Sequence, residues 1–230
     1  MTGPSDYCED LVRDRDKDRF LATLFAPATR RSDLFALYAF DLETAAVATR
    51  VRDPVAGEIR LQWWHDALTD DQAASGHPVA DALKEMLPRH GLNRTDALDV
   101  IDARRRALYP DSEVSEAAFE LAASEAEGAI FRMAAQVLDR EIGEPARLAA
   151  HHAGVITALS HLKSGAVSFD VRNITRRHRS ALRDLISHVP EPVLPAFLPV
   201  ALAVEERASL PQWRKQWILW RASRNLARWI

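Results

Sequence analysis

Apolar residues recur along most of this chain at three- and four-residue spacing, as at Leu34, Leu37 and Tyr38 and again at Leu83, Met86 and Leu87. Such spacing places them on one face of a 3.6-residue helix. No alternating apolar and polar run competes with it, so strands are not expected. Prolines and capping residues mark the boundaries, because proline lacks an N–H and clashes inside a helix. The pattern predicts helices at about 6–14, 17–25, 30–51, 55–71, 79–88, 94–108, 115–139, 146–163, 176–187, 194–207 and 212–229. Asn93–Asp96 and Ser112–Glu116 read as capped helix starts, and Ser75-Gly76-His77-Pro78 reads as a loop. The expectation is an all-α, single-domain helical bundle over residues 1–230, with no internal repeat and no linker long enough to separate domains.

Composition agrees with this reading. Only 8 of 230 residues are glycine, and 47% are hydrophobic. A chain this apolar can bury a sizeable core, which excludes the intrinsically disordered class. With 30 Lys+Arg against 33 Asp+Glu, the formal charge of −3 gives no global positive field, so nucleic acid is not an expected partner. Cys8 is the only cysteine, which excludes an intramolecular disulfide framework and any multi-cysteine zinc or iron–sulfur site. The first residues carry no apolar run behind a basic segment, and nowhere do roughly 18 apolar residues follow one another. The expectation is a cytoplasmic chain that does not span a bilayer.

Several patterns could carry chemistry. Asp14, Asp16 and Asp18 in DRDKDR imitate the start of a calcium loop, but Arg19 stands where the sharp turn needs glycine and Phe25 where a bidentate glutamate is needed. A solvated helix start accounts for them better. His151 and His152 are the only adjacent pair among eight histidines. Neighbours on a helix point about 100° apart and are not expected to share a metal face. There is no HExxH pair, no GxSxG elbow and no P-loop. Asp66 and Asp70 lie on one helical face, an arrangement able to hold Mg²⁺ against a diphosphate. Their place at a helix end beside a polar loop makes solvation the simpler account.

The C-terminal segment is more informative. Trp213, Trp217 and Trp220 recur at helical spacing, Arg214, Arg221 and Arg228 form a second stripe, and from residue 213 onward there are five basic residues and no acid. Two readings stay open. The tryptophans can belong to the domain's own core with arginines at its edge, or the helix can lie on an anionic membrane surface or dock on a partner.

The blocks RFLATLFAPATRRSDLFALYAFDLE and GEIRLQWWHDAL, with HPVADALKEML, DALDVIDARRRALYPD, EGAIFRMAAQVL and HHAGVITALSHL behind them, together resemble the squalene/phytoene synthase family of head-to-head prenyltransferases over residues 17–165. The resemblance implies the all-α isoprenoid synthase fold with a central pocket. In catalytic members two aspartate-rich motifs coordinate Mg²⁺ ions that neutralise the departing diphosphate. Carried across, the Cys-Arg pair of the first motif falls on Asp41 and Leu42, and its metal-binding positions fall on Ala45, Ala46 and Thr49. The second motif's Gln, Asn, Arg and Asp fall on Gly154, Thr157, Ser160 and His161, and its last Asp near Gly165. Asp41 and Glu43 remain on the first helix but splay by about 200° around it.

The retained family positions are Phe20, Tyr38, Phe40, Arg60, Trp63 and Trp64, which by resemblance line or support the isoprenoid pocket. Scaffold without ionisation chemistry, together with the region PAFLPVALAVEERASLPQWRKQWILWR, is similar to the branch that includes a mitochondrial factor for assembly of respiratory complex I. That similarity implies a non-catalytic protein that binds an isoprenoid-like lipid or a partner in respiratory complex assembly, cytoplasmic or peripheral on the inner membrane. No cofactor is expected on this reading. The alternative is a Mg²⁺-dependent prenyltransferase that uses Asp66, Asp70 or other acids as substitute ligands.

Overall fold

The computed structural model describes residues 3–51, 53–70, 74–109, 114–162, 167–203 and 210–230, and among these no strand occurs. The α-helices are α1 (Pro4–Arg15), α2 (Lys17–Thr23), α3 (Ala28–Arg50), α4 (Pro54–Thr69), α5 (Pro78–Arg89) and α6 (Arg94–Arg106). They continue with α7 (Glu116–Ala123), α8 (Ala129–Leu138), α9 (Glu144–Ser160), α10 (Val171–Ile186) and α11 (Gln212–Ala222). Helix starts follow the sequence punctuation. Pro4, Pro54, Pro78 and Pro145 occupy first turns, where a missing N–H costs nothing. Asp53, Ser115 and Asp170 accept first-turn N–H groups as caps. The DRDKDR segment is the joint between α1 and α2: Asp16 caps α2 by accepting from the Arg19 N–H at 2.9 Å.

Three expected helices differ in the structure. The one at 115–139 is interrupted by a π turn over Ser124–Gly128. The one at 194–207 is instead a 3₁₀ helix over Glu191–Ala201, because Pro192, Pro195 and Pro199 remove donors that an α ladder would use; residues 204–207 lie outside the described residues. The one at 212–229 stops at Ala222, and a separate 3₁₀ turn, Leu226–Arg228, follows under an Asn225 cap. Of the expected start at 112–116, Ser115 is the cap, while 112 and 113 lie outside the described residues.

Helix α3 is the axis of the bundle. Every residue from Asp33 to Asp41 is buried, so this stretch is surrounded on all sides, by α1, α2, α4, α5, α6 and α8. One apolar cluster runs from Cys8 to Ile230, and a smaller one, built on Ala123, Val155, Leu159 and Ile174, sits where α7, α9 and α10 meet. Burial pushes the Cys8 thiol up to about 12, which keeps it an inert core residue. No helix among the described residues is long and apolar enough to cross a membrane.

Helix α9 lies directly on the π turn, and Gly154 permits it. A Cβ there would stand 2.3 Å from the Gly128 nitrogen and 2.6 Å from its Cα, both backbone atoms that cannot swing aside. Gly154→Ala is therefore expected to destabilise the chain by about 1–3 kcal/mol or more, read as a lower urea midpoint at unchanged slope. An unchanged midpoint would refute the close approach.

Candidate functional site

Asp41 follows Leu37 by one helical turn, so the register that buries Leu37 also carries its carboxylate into the bundle centre. There it meets charges from three other elements. Arg19 of α2 donates from Nη1 to Asp41 Oδ2 at 2.5 Å and from Nη2 to Glu127 Oε2 at 3.0 Å. Arg104 of α6 donates from Nη2 to Asp41 Oδ1 and Glu127 Oε1, both at 2.7 Å. Glu127 belongs to the π turn, whose extra residue re-aims side chains relative to a regular helix. The result is a closed ring of two guanidiniums and two carboxylates, in which all four carboxylate oxygens accept.

The ring is seated on aromatic and backbone partners. The Arg19 guanidinium lies 5.3 Å over the Tyr38 ring, and Asp16 Oδ2 stands 3.5 Å from Arg19 Nε. Burial opposes the charge of Arg19 and Arg104, but the facing carboxylates outweigh it and raise both pKa values above the ordinary arginine range. Burial likewise disfavours ionised Asp41, and Arg19 and Arg104 overcome it, holding the carboxyl below its usual value. Tyr38 is pushed up to about 12, by burial against the opposing pull of Arg19.

This arrangement stabilises; it does not leave a ligand free. A divalent ion needs unengaged carboxylate oxygens, and here each oxygen of Asp41 and Glu127 already holds a guanidinium N–H. At the positions to which the family resemblance carries the metal motifs, Ala45 and Ala46 offer no ligand, Thr49 is exposed and donates to the Ala46 carbonyl at 3.0 Å, and His161 is exposed at the C-terminus of α9. The Gly165 position lies outside the described residues. Asp66 and Asp70 are exposed at the far end of α4, and Asp66 accepts from Gln62 at 2.7 Å. Neither takes part in the ring. Glu43 points away from Asp41, to Arg15 at 3.0 Å and Arg50 at 3.8 Å, as the splay on α3 requires.

The aromatic positions divide. Phe40 is fully buried and meets Trp64 edge to face at 5.6 Å, and Phe20 stacks on Phe35 at 5.6 Å. Trp63 packs on Trp64 at 5.2 Å but remains partly exposed, and Arg60 is exposed on the outer side of α4. On α11 it is Ile218, Leu219 and Ala222 that enter the core, while Trp213, Trp217 and Trp220 are 63%, 48% and 42% exposed, so these tryptophans are not part of the core. Arg224 lies 3.9 Å over Trp220 and Arg221 5.1 Å over Trp217. Trp217, Arg221, Arg224, Asn225, Arg228 and Trp229 line a cleft of about 390 Å³.

Sequence reasoning passed over Arg19, Arg104 and Glu127. The available signal was charge embedded in apolar runs: Arg19 before Phe20-Leu21-Ala22, and Glu127 just before Gly128-Ala129-Ile130-Phe131. The expectation for the adjacent histidines needs correction. His151 and His152, with ring centroids 4.9 Å apart, flank His178 of α10 at 5.6 and 4.9 Å, so a third residue between them brings all three together. Burial, followed by the neighbouring His178 and His151, pushes His152 down to about 4, so it is neutral at physiological pH.

An all-α bundle with its centre closed by α3 defines the class, and comparison with solved structures identifies it as the isoprenoid synthase fold. A dehydrosqualene synthase superposes with a TM-score of 0.72 at 13% identity, covering 98% of this chain and 97% of that one. The squalene synthase HpnC from Alicyclobacillus acidocaldarius superposes with a TM-score of 0.68 at 15% identity, covering 98% and 94%. The sequence profile of the squalene/phytoene synthase family matches residues 12–163, and the chain belongs to that family. Curated relatives carry the name NADH dehydrogenase (ubiquinone) complex I, assembly factor 6. The human protein is 34% identical over 108 residues, 46% of this chain and 32% of its own length. The mouse protein is 30% identical over 134 residues, 57% of this chain and 40% of its own. A Drosophila melanogaster homolog is 31% identical over 108 residues. The matches span 32–40% of the length of these relatives. The resemblance to the assembly-factor branch is thus borne out.

Arg19→Met is expected to cost about 3–5 kcal/mol, because it strands one oxygen of each buried carboxylate. Stability should also fall in acid. The native Asp41 pKa lies below its unfolded value, so its contribution is complete above the unfolded carboxylate pKa and is lost as pH falls through the native one. Urea titrations of the wild type and Asp41→Asn between neutral and acid pH check the sign: the variant should be weaker at neutral pH and flatter in acid.

Proposed function

We propose that this protein is a non-catalytic member of its family, acting as a scaffold in respiratory complex I assembly. The observation that carries the reading is the ion ring: the acids nearest the inherited catalytic centre are consumed by arginines, and the metal positions are Ala45, Ala46, Thr49 and His161. The names of the curated relatives support the assembly role. The packed rings of Phe40 and Trp64 favour a solid centre over a chamber for an isoprenoid-like lipid.

On this reading the working surface is the outer face of α11 and the cleft beneath it, where exposed tryptophans and arginines would take an acidic protein partner at the membrane. In cells lacking the gene, assembled complex I should fall on native gels while squalene-derived and carotenoid lipids stay level. A copy with Arg221→Glu, Arg224→Glu and Arg228→Glu should fold and fail to restore assembly. Purified protein given farnesyl diphosphate and Mg²⁺ should release no pyrophosphate, and Asp66→Ala with Asp70→Ala should change nothing. Mg²⁺-dependent condensation, or missing isoprenoid lipids beside normal complex I, would overturn the proposal. An isoprenoid co-purifying with the protein would shift the scaffold reading toward lipid binding.

A further inference from the structure

Beside the smaller apolar cluster, and on the other side of the π turn that carries Glu127, α9 and α10 bring three imidazoles together. We propose that His151, His152 and His178 form a binding site for a first-row divalent transition ion of the zinc class, each giving one ring nitrogen and leaving a fourth position open.

The three ligand nitrogens lie within 4.8 Å of one another. Tetrahedral coordination with Zn–N bonds of about 2.0–2.1 Å needs nitrogens roughly 3.4 Å apart, so the set closes by small side-chain rotations. The pair His152 Nδ1 and His178 Nδ1, 2.8 Å apart, would open slightly as the ion replaces the proton they share. Two of the imidazoles already have the outer partners that metal-bound histidines use to fix ring orientation. Glu120 Oε1 stands 3.0 Å from His178 Nε2, and Ser124 Oγ stands 2.8 Å from His151 Nδ1. With Nε2–H donated to Glu120, His178 presents the Nδ1 lone pair to the cluster.

Local charge favours a cation. Glu120 sets a carboxylate beside the imidazoles, and the guanidinium of Arg177 is engaged by both Glu116, at 2.8 Å, and Glu120. His178 is buried, while His151 and His152 are half-buried, giving an ion a path from the surface. An all-imidazole set selects zinc, copper, nickel or cobalt and discriminates against Mg²⁺ and Ca²⁺, which prefer oxygen. The site is independent of the lost carboxylate motifs, and a bound ion would pin α10 to α9.

The test uses tag-free full-length protein stripped with chelator. Calorimetric titration with Zn²⁺ should give one ion per chain, thermal unfolding should move up with added Zn²⁺, and Co²⁺ should give the visible absorption of a tetrahedral nitrogen site. His151→Ala and His152→Ala, at half-buried positions, should each weaken binding at least about tenfold. Glu120→Gln, a positioning change, should weaken it about 10–100-fold with an unaltered circular dichroism spectrum. No saturable Zn²⁺ binding would overturn the proposal, as would equal affinity and stoichiometry in the His151→Ala/His152→Ala double variant, which would place the ion at other histidines.

Discussion

The ring of Arg19, Asp41, Arg104 and Glu127 fixes the centre of this bundle. Each of these ions would cost several kcal/mol to bury alone, and the desolvation is recovered only if every partner is present in good geometry. That condition ties α2, α3, α6 and the π turn to one mutual arrangement, because a displacement of any one leaves a buried charge uncompensated. It reaches α9 as well. The π turn aims Glu127 only while its backbone stays seated against α9, and that seat exists because position 154 has no side chain.

The same geometry occupies every carboxylate oxygen at the centre with a guanidinium. Two unit charges 4 Å apart interact by about 4 kcal/mol at the effective dielectric of a partly shielded site. In the ring each guanidinium faces two carboxylates and each carboxylate two guanidiniums, so the four charges balance and the attraction is spent within the ring. At 13% identity the chain still superposes on a dehydrosqualene synthase over nearly its whole length, because the fold needs apolar faces on its helices, while catalysis needs a few carboxylates at set positions.

That distinction also explains which features were legible in the sequence. The all-α class and core residues such as Leu34, Leu37, Leu83 and Met86 follow from periodicity, a local property, and all four are buried. That Ala45, Ala46 and Thr49 carry no carboxylate is equally readable. The ring is not, because its bonds join residues 22 and 108 positions apart, and a charge in an apolar run does not name its partner. The π turn at Ser124–Gly128 lies in a stretch whose composition reads as continuous helix. The histidine cluster was missed for a related reason: neighbours that diverge on one helix can still converge on a residue delivered by another.

The exposed tryptophans complete the same logic at the surface. Helix α11 is held in place by Ile218, Leu219 and Ala222 and by Lys215, whose ammonium sits 2.9 Å from both oxygens of Asp18. Those contacts suffice for docking, so the core does not require Trp213, Trp217 or Trp220. Each of these rings stays partly exposed with an arginine over it, Arg214 over Trp213, Arg221 over Trp217 and Arg224 over Trp220. Helix α2 links the two regions. Arg19 turns inward to the ring and Asp18 outward to Lys215 of α11, so one short helix ties the ion-paired centre to the helix that bears the exposed tryptophans.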